Sequence, residues 1–303
     1  MTRFADIAPI PLTQVEEDLA AAAAAFGDSF RRTGFAVVSG HGVPDAVVAD
    51  ALAAMRAFFA LPEDVKRGAL VPGQGGARGF TPFGVETAKD ATHHDLKEFW
   101  HVGRELPPGH PFEAFMPPNI WPAMVPEFRG AALALFDALD AAGRRILRAV
   151  AVHLGLAPDA FDDPCRDGNS VLRLLHYPPV SEDAGPIRAG AHEDINVITL
   201  LLGADEAGLQ LLSNGEWLDV EAPPGTLVCN IGDMLQRFTG GLLPSTTHRV
   251  VNPAPARRHL PRYSTPFFLH YRPDYLIQPM HGDAAPITAN DYLMQRLREI
   301  KLL

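Results

Sequence analysis

The sequence predicts a mixed α+β fold, with helices in the N-terminal third and an antiparallel sheet structure in the C-terminal half. Apolar residues recur at helical spacing in much of the first half of the chain. From about residue 169 onward, short β-branched apolar runs alternate with turn residues such as Asn214-Gly215. Many short strands separated by regular turns are typical of an antiparallel sandwich or barrel.

The N-terminal pattern predicts helix, strand and helix in that order. Residues 11–33 form one predicted helix, which Gly34 ends, and Phe35–Ser39 forms a short apolar strand. A turn at residues 40–42 and a second helix starting at residues 44–45 follow. That helix has a stripe of apolar residues at helical spacing and is predicted to end at Pro62. The stripe consists of Val47, Ala51, Met55 and Phe58.

The remaining elements follow from the same reasoning. Glycine-rich residues 68–84 predict an irregular surface loop, and the proline-rich stretch 106–126 an extended connector. A long helix is predicted over 126–156 and a C-terminal helix over 288–302, opened by Thr288 or Asn290. Between these two helices the predicted strands are Val171–Tyr177, 197–202, 209–212, 226–231, His248–Val251 and 264–271.

Composition and charge limit the possible partners. The chain has 303 residues, 47% hydrophobic and 20% charged, which is ordinary for a globular protein that buries a large core. A formal net charge of −10 disfavours a nucleic-acid partner, which would require a basic face. The alanine-rich run at residues 19–26 is too short for a membrane span. We therefore expect neither a nucleic-acid nor a membrane partner.

The cysteine count and the N-terminal sequence indicate the compartment. Cys165 and Cys229 are too few for a disulfide scaffold and belong to no zinc-type pair, so we interpret them as thiols of a reducing compartment. The N-terminal residues lack a signal-peptide pattern. A cytoplasmic protein is the resulting expectation.

Three residues form the strongest functional pattern. His192 and Asp194 precede an apolar run, and alternation along a strand would point both to one face and Glu193 to the other. His248 opens a later run, far enough along the chain for intervening strands to return it beside the first pair. A buried carboxylate requires a metal or a cation. Two histidines and a carboxylate are the ligand set of a non-haem Fe(II) oxygenase; the alternative is a polar pair on a loop or surface.

Two further strands carry candidate ligand-binding residues. Arg262 and Ser264 share a strand face, where a forked donor and a hydroxyl would bind a carboxylate. Phe268 has the same parity and would line the same pocket, or belong to the core. Arg173 and Tyr177 also share a face, and Tyr177 either donates to a bound carboxylate or packs on the sheet.

The other histidines are interpreted differently. His176 has the opposite parity to Tyr177 and is expected to be structural, and His41, between two glycines, is expected to be a turn residue. His93 and His94 beside Asp95 are a less favoured candidate for a second metal site.

Nearly the whole chain resembles the isopenicillin N synthase-like family of Fe(II)- and 2-oxoglutarate-dependent oxygenases. The matching segments are 34–43, 58–62 with Lys66, 95–98, His192-x-Asp194, His248, Arg262-x-Ser264 and 287–293 with Arg296. The resemblance implies a double-stranded β-helix (jelly-roll) core with flanking N-terminal helices, a long central helix and a C-terminal helix. It divides the chain into a helix-rich region at 1–120 and a catalytic core at 121–303, packed as one compact unit.

The resemblance also implies a chemistry. Fe(II) would bind His192, Asp194 and His248, and 2-oxoglutarate would meet Arg262 and Ser264 with help from Tyr177. Oxygen would then drive oxidative decarboxylation of 2-oxoglutarate, coupled to hydroxylation or a related C–H oxidation of a small molecule. The chain departs from many relatives, which have asparagine where Leu175 stands here.

The sequence is compatible with other functions and does not identify the substrate. An iron oxidase of the same family could keep Arg262 and Ser264 without using 2-oxoglutarate. A non-catalytic sensor of metal and dicarboxylate has no need for open metal positions, and a zinc hydrolase needs a general base that Glu193 is not placed to supply. For the substrate pocket we expect Arg173, Phe268, Arg78 and Phe80, with Trp100 a further candidate. Arg173 would either favour a substrate carboxylate or pair with a structural acid.

Overall fold

The computed structural model describes residues 3–70, 77–85, 97–179, 187–202, 208–252 and 255–300. Its helices are α1 Gln14–Glu17, α2 Leu19–Thr33, α3 Asp45–Phe59, α4 Glu63–Arg67, α5 Phe128–His153, α6 Asp162–Cys165, α7 Asp233–Phe238 and α8 Ala289–Glu299, with a 3-10 turn at Pro255–Arg257. Its strands are β1 Pro9–Pro11, β2 Phe35–Ser39, β3 Gly79–Thr81, β4 Glu98–Gly103, β5 Val171–Tyr177, β6 Ile187–His192, β7 Ile198–Leu202, β8 Leu209–Ser213, β9 Glu216–Asp219, β10 Leu227–Ile231, β11 His248–Val251, β12 Arg262–Ser264, β13 Phe267–Leu269, β14 Leu276–Ile277 and β15 Ile287–Thr288.

The first predicted helix is two helices in the structure. Asp18 has an extended φ of −151°, which separates α1 from α2, and its carboxylate accepts a hydrogen bond from the Ala21 amide at 3.0 Å. Asp18 is thus an N-cap inside the stretch predicted as continuous. Gly34 ends α2 as predicted, in the left-handed region at φ 71°, where a side chain would be strained.

Proline has a different role from the one predicted at the second helix. Helix α3 ends at Phe59, and Pro62 is the N-cap of the short helix α4 instead of the end of α3. The predicted stripe is largely confirmed, since Ala51, Met55 and Phe58 are buried in the core.

Thr288 opens the C-terminal helix α8 and accepts a hydrogen bond from the Asp291 amide at 3.1 Å.

Two sheets face each other. In the large sheet the order is β1-β2-β10-β7-β13-β5-β4-β3, with β12 also paired to β5; in the smaller sheet it is β6-β11-β8-β9. From β6 to β13 the chain passes back and forth between the two sheets, and most pairings are antiparallel. This connectivity makes the core a double-stranded β-helix, a jelly roll. Strands β1 to β4 extend the large sheet, so it draws on both sides of residue 120.

Several strands differ from the sequence prediction. The run 264–271 is split into β12 and β13 around Pro266, which has no amide hydrogen to donate to a ladder. Strand β3 lies within the predicted glycine-rich loop and pairs with β4. Strand β4 is buried on both faces and therefore lacks the alternation that identifies a strand. Strand β6 includes alanine and glycine, which are poor strand formers.

The main core lies between the large sheet and the helices. Helix α5 packs on this sheet, and the rings of Phe136 and Phe267 meet edge to face with centroids 4.9 Å apart. Gly143 permits this approach, because a Cβ there would lie 2.7 Å from the Leu269 side chain. Among the described helices, none combines the length and apolar composition that a bilayer crossing requires. Because α5 packs on the outer face of the large sheet, the other face of that sheet is directed towards the smaller sheet.

Candidate metal centre

Three side chains converge where the smaller sheet ends. His192 is the last residue of β6 and His248 the first of β11, and the two are paired across the ladder. The ligand atoms of His192, Asp194 and His248 all lie within 4.8 Å of one another. One detail of the prediction was wrong, because Asp194 follows β6 and does not belong to a strand. The turn after β6, and not strand alternation, brings its carboxylate to the histidines.

Hydrogen bonds fix the carboxylate of Asp194, which is only 6% exposed. Its Oδ2 accepts from the Thr199 hydroxyl at 2.5 Å and from the Asn230 amide at 2.8 Å. Its Oδ1 lies 3.8 Å from the Nε2 atom of His192. Burial by itself raises the pKa of Asp194, but His248, His192 and the two hydrogen bonds outweigh it and hold the pKa below its ordinary value. The group is therefore a carboxylate at neutral pH.

The two histidines have the same arrangement. Nδ1 of His192 is 2.7 Å from the Gly190 carbonyl, and Nδ1 of His248 is 3.1 Å from the Thr246 carbonyl. A proton on each Nδ1 donates to that carbonyl and leaves the Nε2 lone pair free. Each Nε2 lies 3.8 Å from an oxygen of Asp194. The His192 side chain is 41% exposed where it lines the cavity, but desolvation of its ring by the surrounding protein, and next His248, lower its pKa to about 4. The ring is therefore neutral at pH 7.

This donor set fits a divalent transition metal. Two imidazole nitrogens and one carboxylate oxygen suit Fe(II) and leave coordination positions open. The fixed tautomers and the bonded carboxylate are the surroundings that metal ligands have in proteins. A cation here would also compensate the buried negative charge of Asp194.

The residues predicted for the co-substrate lie on the large sheet. Arg262 on β12 pairs with Tyr177 on β5, and Ser264 pairs with Leu175. Arg262 is 2% exposed, so it is not an exposed arginine at a strand start. Its guanidinium carbon lies 5.2 Å from the centre of the Tyr177 ring. Leu175 packs with Tyr177 in a small apolar cluster that also includes a phenylalanine of β4.

A further arginine connects these residues to the metal centre. Arg188 is fully buried on β6, the strand that ends at His192, and its guanidinium lies 5.8 Å from the Tyr177 ring centre. The same ring thus has Arg188 from one sheet and Arg262 from the other beside it. Arg262 and Tyr177 therefore face the interior onto which β6 opens.

A cavity of about 590 Å³ adjoins the metal centre, and His192 and Asp194 form part of its wall. Its apolar wall includes Phe115, Val171, Phe268, Leu293 and Leu297, the last two from helix α8. Its polar wall includes Arg78, Lys97, His101, Arg173 and His270. The volume and the mixed lining suit a small organic molecule.

The structure brings three of the four predicted substrate residues to this cavity. Arg78, Arg173 and Phe268 line it, and the Arg173 guanidinium lies 5.4 Å from the Phe268 ring centre. The prediction that Phe80 lines the pocket is wrong, because its side chain packs in the hydrophobic core against Phe58, with ring centroids 5.4 Å apart. Trp100 is fully buried in the same core and is also not part of the cavity. Both lie on strands that are buried on both faces, and the alternation of side chains along a strand does not show whether both faces are covered.

The two histidines predicted to be structural, His176 and His41, make contacts within the protein. His176 contacts the buried carboxylate of Glu98 at 2.8 Å, and Lys66 donates to the same carboxylate at 2.9 and 2.7 Å. His41 accepts a hydrogen bond from the Val43 amide at 3.1 Å, in the connection between β2 and α3. The possible second metal site at 93–95 lies outside the described residues.

The pattern of residue types did not predict a role for Thr199, Asn230 or Arg188. Each is a polar residue in a buried strand segment, and that mismatch is the signal that could have identified them. It also did not identify an ion pair between the cavity-lining Arg296 of α8 and the buried Asp233 at 3.0 Å. The same arginine lies 4.0 Å from Glu193, whose carboxylate accepts a hydrogen bond from Thr247 at 2.9 Å.

Two family models match this chain. Residues 5–124 match the N-terminal domain described as non-haem dioxygenase in morphine synthesis. Residues 168–271 match the 2OG-Fe(II) oxygenase superfamily. A 2-oxoglutarate-dependent dioxygenase of Didymella fabae is 34% identical over 288 residues, covering 86% of this chain and 85% of that protein.

Solved structures have the same fold. A 2OG-Fe(II) oxygenase family protein from Caulobacter crescentus is 52% identical with a TM-score of 0.91, covering 97% of this chain and 99% of its own. A full-length Neurospora crassa protein, solved in complex with alpha-KG (2-oxoglutarate) and thymine, is 29% identical with a TM-score of 0.84, covering 97% of this chain and 96% of its own.

Proposed function

Because the chain belongs to the superfamily of 2-oxoglutarate- and Fe(II)-dependent oxygenases, we propose that His192, Asp194 and His248 bind the iron of this enzyme. The protein is a 2-oxoglutarate/Fe(II)-dependent dioxygenase, an oxidoreductase. The observation that supports the assignment is the convergence of the three ligand atoms within 4.8 Å. It is supported further by the two imidazole tautomers, which leave both Nε2 atoms free beside Asp194.

When bound, the iron supplies oxidative decarboxylation of 2-oxoglutarate and oxidation of a substrate C–H bond. The residues of the chain position the reactants. Thr199 and Asn230 occupy Oδ2 of Asp194, so Oδ1 is the oxygen available to the metal. The neutral ring of His192 gives a lone pair without first losing a proton at neutral pH. The three ligands carry one negative charge in total, from the carboxylate of Asp194. With a divalent cation bound, the centre would keep a net positive charge that attracts an anionic co-substrate.

Arg262, Ser264 and Tyr177 are the proposed binding residues for 2-oxoglutarate. A buried guanidinium is a forked donor that matches one carboxylate of the co-substrate, and the Ser264 hydroxyl supplies another hydrogen bond. All three side chains are at most 5% exposed, so a carboxylate bound among them would exchange little with water. Tyr177 lies beside the Arg262 guanidinium and orients it.

The substrate we propose is a small molecule held in the 590 Å³ cavity by Arg173, Phe268 and Arg78. The Neurospora crassa relative supports this size class, since its structure contains thymine. We also propose that the enzyme belongs to the isopenicillin N synthase-like branch, on the motifs of both halves of the chain. Its two free, buried cysteines support a location in the cytoplasm.

The test measures succinate formation from 2-oxoglutarate, and Fe(II) retained after anaerobic gel filtration. We expect His192→Ala and Asp194→Ala to lose both, while His259→Ala, an exposed histidine outside the cavity, keeps both. Arg262→Met should keep Fe(II) and raise the KM for 2-oxoglutarate at least about tenfold, because it loses a charge-assisted bidentate contact. Wild-type turnover in Asp194→Ala protein, or an unchanged KM in Arg262→Met, would contradict the assignment.

A further inference from the structure

Arg78 is a buried cation in the wall of the cavity, and its side chain is only partly satisfied by hydrogen bonds. The residue is 5% exposed. Its Nη1 donates to the Ala77 carbonyl at 2.7 Å, and its Nη2 has only a 3.5 Å contact with the Asn169 side-chain oxygen. Its buried Nε has no hydrogen-bond partner, and no acidic side chain in the described part of the chain forms an ion pair with it. An uncompensated buried charge is costly and calls for a partner.

The weakly satisfied edge of this arginine consists of Nε and Nη2. Nε and Nη2 lie along one side of the guanidinium, and two parallel hydrogen bonds from such an edge match the two oxygens of a carboxylate. Nη1, which is satisfied by backbone, lies on the other side. The chain therefore satisfies Nη1 with a backbone carbonyl and, among the described residues, gives the other edge no acceptor nearer than the 3.5 Å contact with Asn169. Nε is itself buried, so a carboxylate reaches it only when the guanidinium shifts towards the cavity.

The neighbouring strand is shaped to receive this arginine. At Gly103, the last residue of β4, a Cβ would lie 2.2 Å from the Arg78 Cζ and Nη2 atoms. The absence of a side chain at Gly103 thus leaves room for the guanidinium against the strand, and a Cβ there would displace it. Asn119 fixes this strand end through bonds to both the amide (2.7 Å) and the carbonyl (2.8 Å) of Gly103.

The charges around the cavity favour an anion at this position. Lys97 and Arg173 line the same cavity as Arg78. Asp194 is assigned to the metal, and Glu193 is hydrogen-bonded to Thr247. His270 lines the same cavity, and the charges of Asp194 and Arg78 both act on the pKa of its ring.

We propose that the substrate of this dioxygenase carries a carboxylate, which binds to the incompletely hydrogen-bonded guanidinium of Arg78 while its apolar body lies against Phe268 and Phe115. This inference depends on the proposed function, because it names the substrate class of the same site. Anchoring the carboxylate at Arg78 holds the rest of the molecule in the space shared with His192 and Asp194. The substrate is thus an acid with an aromatic or aliphatic body small enough for the cavity.

The test compares acids with their neutral amides as ligands. Protein loaded with Mn(II) and saturating 2-oxoglutarate is titrated with benzoate, 3-phenylpropanoate and hexanoate, and with the three corresponding amides. Binding is followed by the shift in Tm. The variants are Arg78→Met, Arg78→Lys and Gly103→Ala, and the matched control is Arg129→Met, an exposed arginine paired with Glu105.

We expect wild-type protein and Arg129→Met to bind at least one acid about tenfold or more tightly than its amide, the discrimination that one bidentate charge-assisted contact supplies. Arg78→Met should abolish this preference and leave the Tm of the ligand-free protein unchanged or higher, because it removes an uncompensated cation. Gly103→Ala should weaken the preference by displacing the guanidinium, and Arg78→Lys should retain part of it.

Three results would overturn the proposal. One is equal affinity of wild-type protein for every acid and its amide, whether both bind or neither does. Another is an undiminished acid preference in Arg78→Met. The third is failure of both Arg78→Met and Arg78→Lys to fold, which would make Arg78 a structural residue. The affinity for 2-oxoglutarate, measured in the same wild-type preparation, reports separately on the proposed function, which fails if that binding is absent.

Discussion

Thr199 is expected to strengthen metal binding without touching the metal. The substitution Thr199→Val keeps the shape of the side chain on β7 and removes the hydroxyl that donates to Oδ2 of Asp194 at 2.5 Å. Asn230 still donates to the same oxygen at 2.8 Å. Asn196, which also donates to the Thr199 hydroxyl, keeps its bond to the Ile198 carbonyl. The variant therefore removes one orienting contact from an otherwise intact centre.

The size of the effect follows from these contacts. A hydrogen bond to a charged group contributes about 1.5–3 kcal/mol, and loss of a contact that orients a metal ligand weakens metal affinity about 10–100-fold. Because one of the two bonds to Oδ2 remains, we expect the lower end, about tenfold or ~1.4 kcal/mol. The Thr199 hydrogen bond also lowers the pKa of Asp194, so its removal raises that pKa. Protons then compete with the metal at higher pH, and the loss of affinity should grow as the pH falls.

The assay is calorimetric titration with Mn(II) at pH 7.5 and pH 5.5. The control is Thr226→Val, because Thr226 is similarly buried but donates to the Pro223 carbonyl in its own loop. Unchanged Mn(II) affinity in Thr199→Val, or an equal loss in Thr226→Val, would refute the reasoning. A loss that is the same at both pH values would refute the part that concerns protonation of Asp194.

Three further expectations concern stability and reactivity. Glu98→Gln should lower the free energy of unfolding by about 3 kcal/mol in urea titration, because a buried cation loses its partner, whereas the exposed-pair variant Glu105→Gln should stay within about 1 kcal/mol of wild type. Burial raises the pKa of Glu98, but hydrogen bonds and charges from His176 and Lys66 outweigh burial, so the net pKa is lowered. The stabilising contribution of Glu98 is therefore complete above its ordinary pKa of 4.5 and is lost as the pH falls through the folded-state pKa. A loss of stability in Glu98→Gln that does not depend on pH would contradict this. Burial raises the pKa of the Cys165 and Cys229 thiols, so both should react with a disulfide reagent only after unfolding, and rapid labelling of native protein would contradict it. Arg296→Met removes the ion pair to buried Asp233 and should speed amide hydrogen exchange in α8, while wild-type exchange rates there would show that the pair does not hold the helix.

The three residues proposed to bind the metal could be predicted because chemistry and spacing coincide in the sequence. Two histidines and an aspartate, each at the edge of an apolar run, are a rare combination, and the expected convergence is confirmed. Side-chain alternation along a strand explains this convergence only in part, since Asp194 follows strand β6 and does not lie on it. Side-chain alternation applies within a strand, and the sequence does not mark where β6 ends.

Burial of whole strands could not be predicted with the same success. Phe80 and Trp100 have the residue types of a substrate pocket, and both belong to the core because β3 and β4 are covered on both faces. Strand β4 shows no alternation for this reason, and β3 lies in a stretch whose glycines indicate a loop. Which face of a strand meets the cavity depends on helices distant in sequence.

The sequence by itself determined the reaction class, the order of helices and strands in the jelly-roll half, and the residues proposed to bind metal and co-substrate. These depend on local patterns of residue type, which the chain carries wherever it is placed. Only the tertiary structure decided which contacts form around the site. These are the two hydrogen bonds to Asp194, the pair of arginines beside Tyr177, and the incompletely hydrogen-bonded Arg78 against Gly103. Each of these contacts joins segments that the fold brings together, so it depends on packing between sheets and strands that no local pattern encodes.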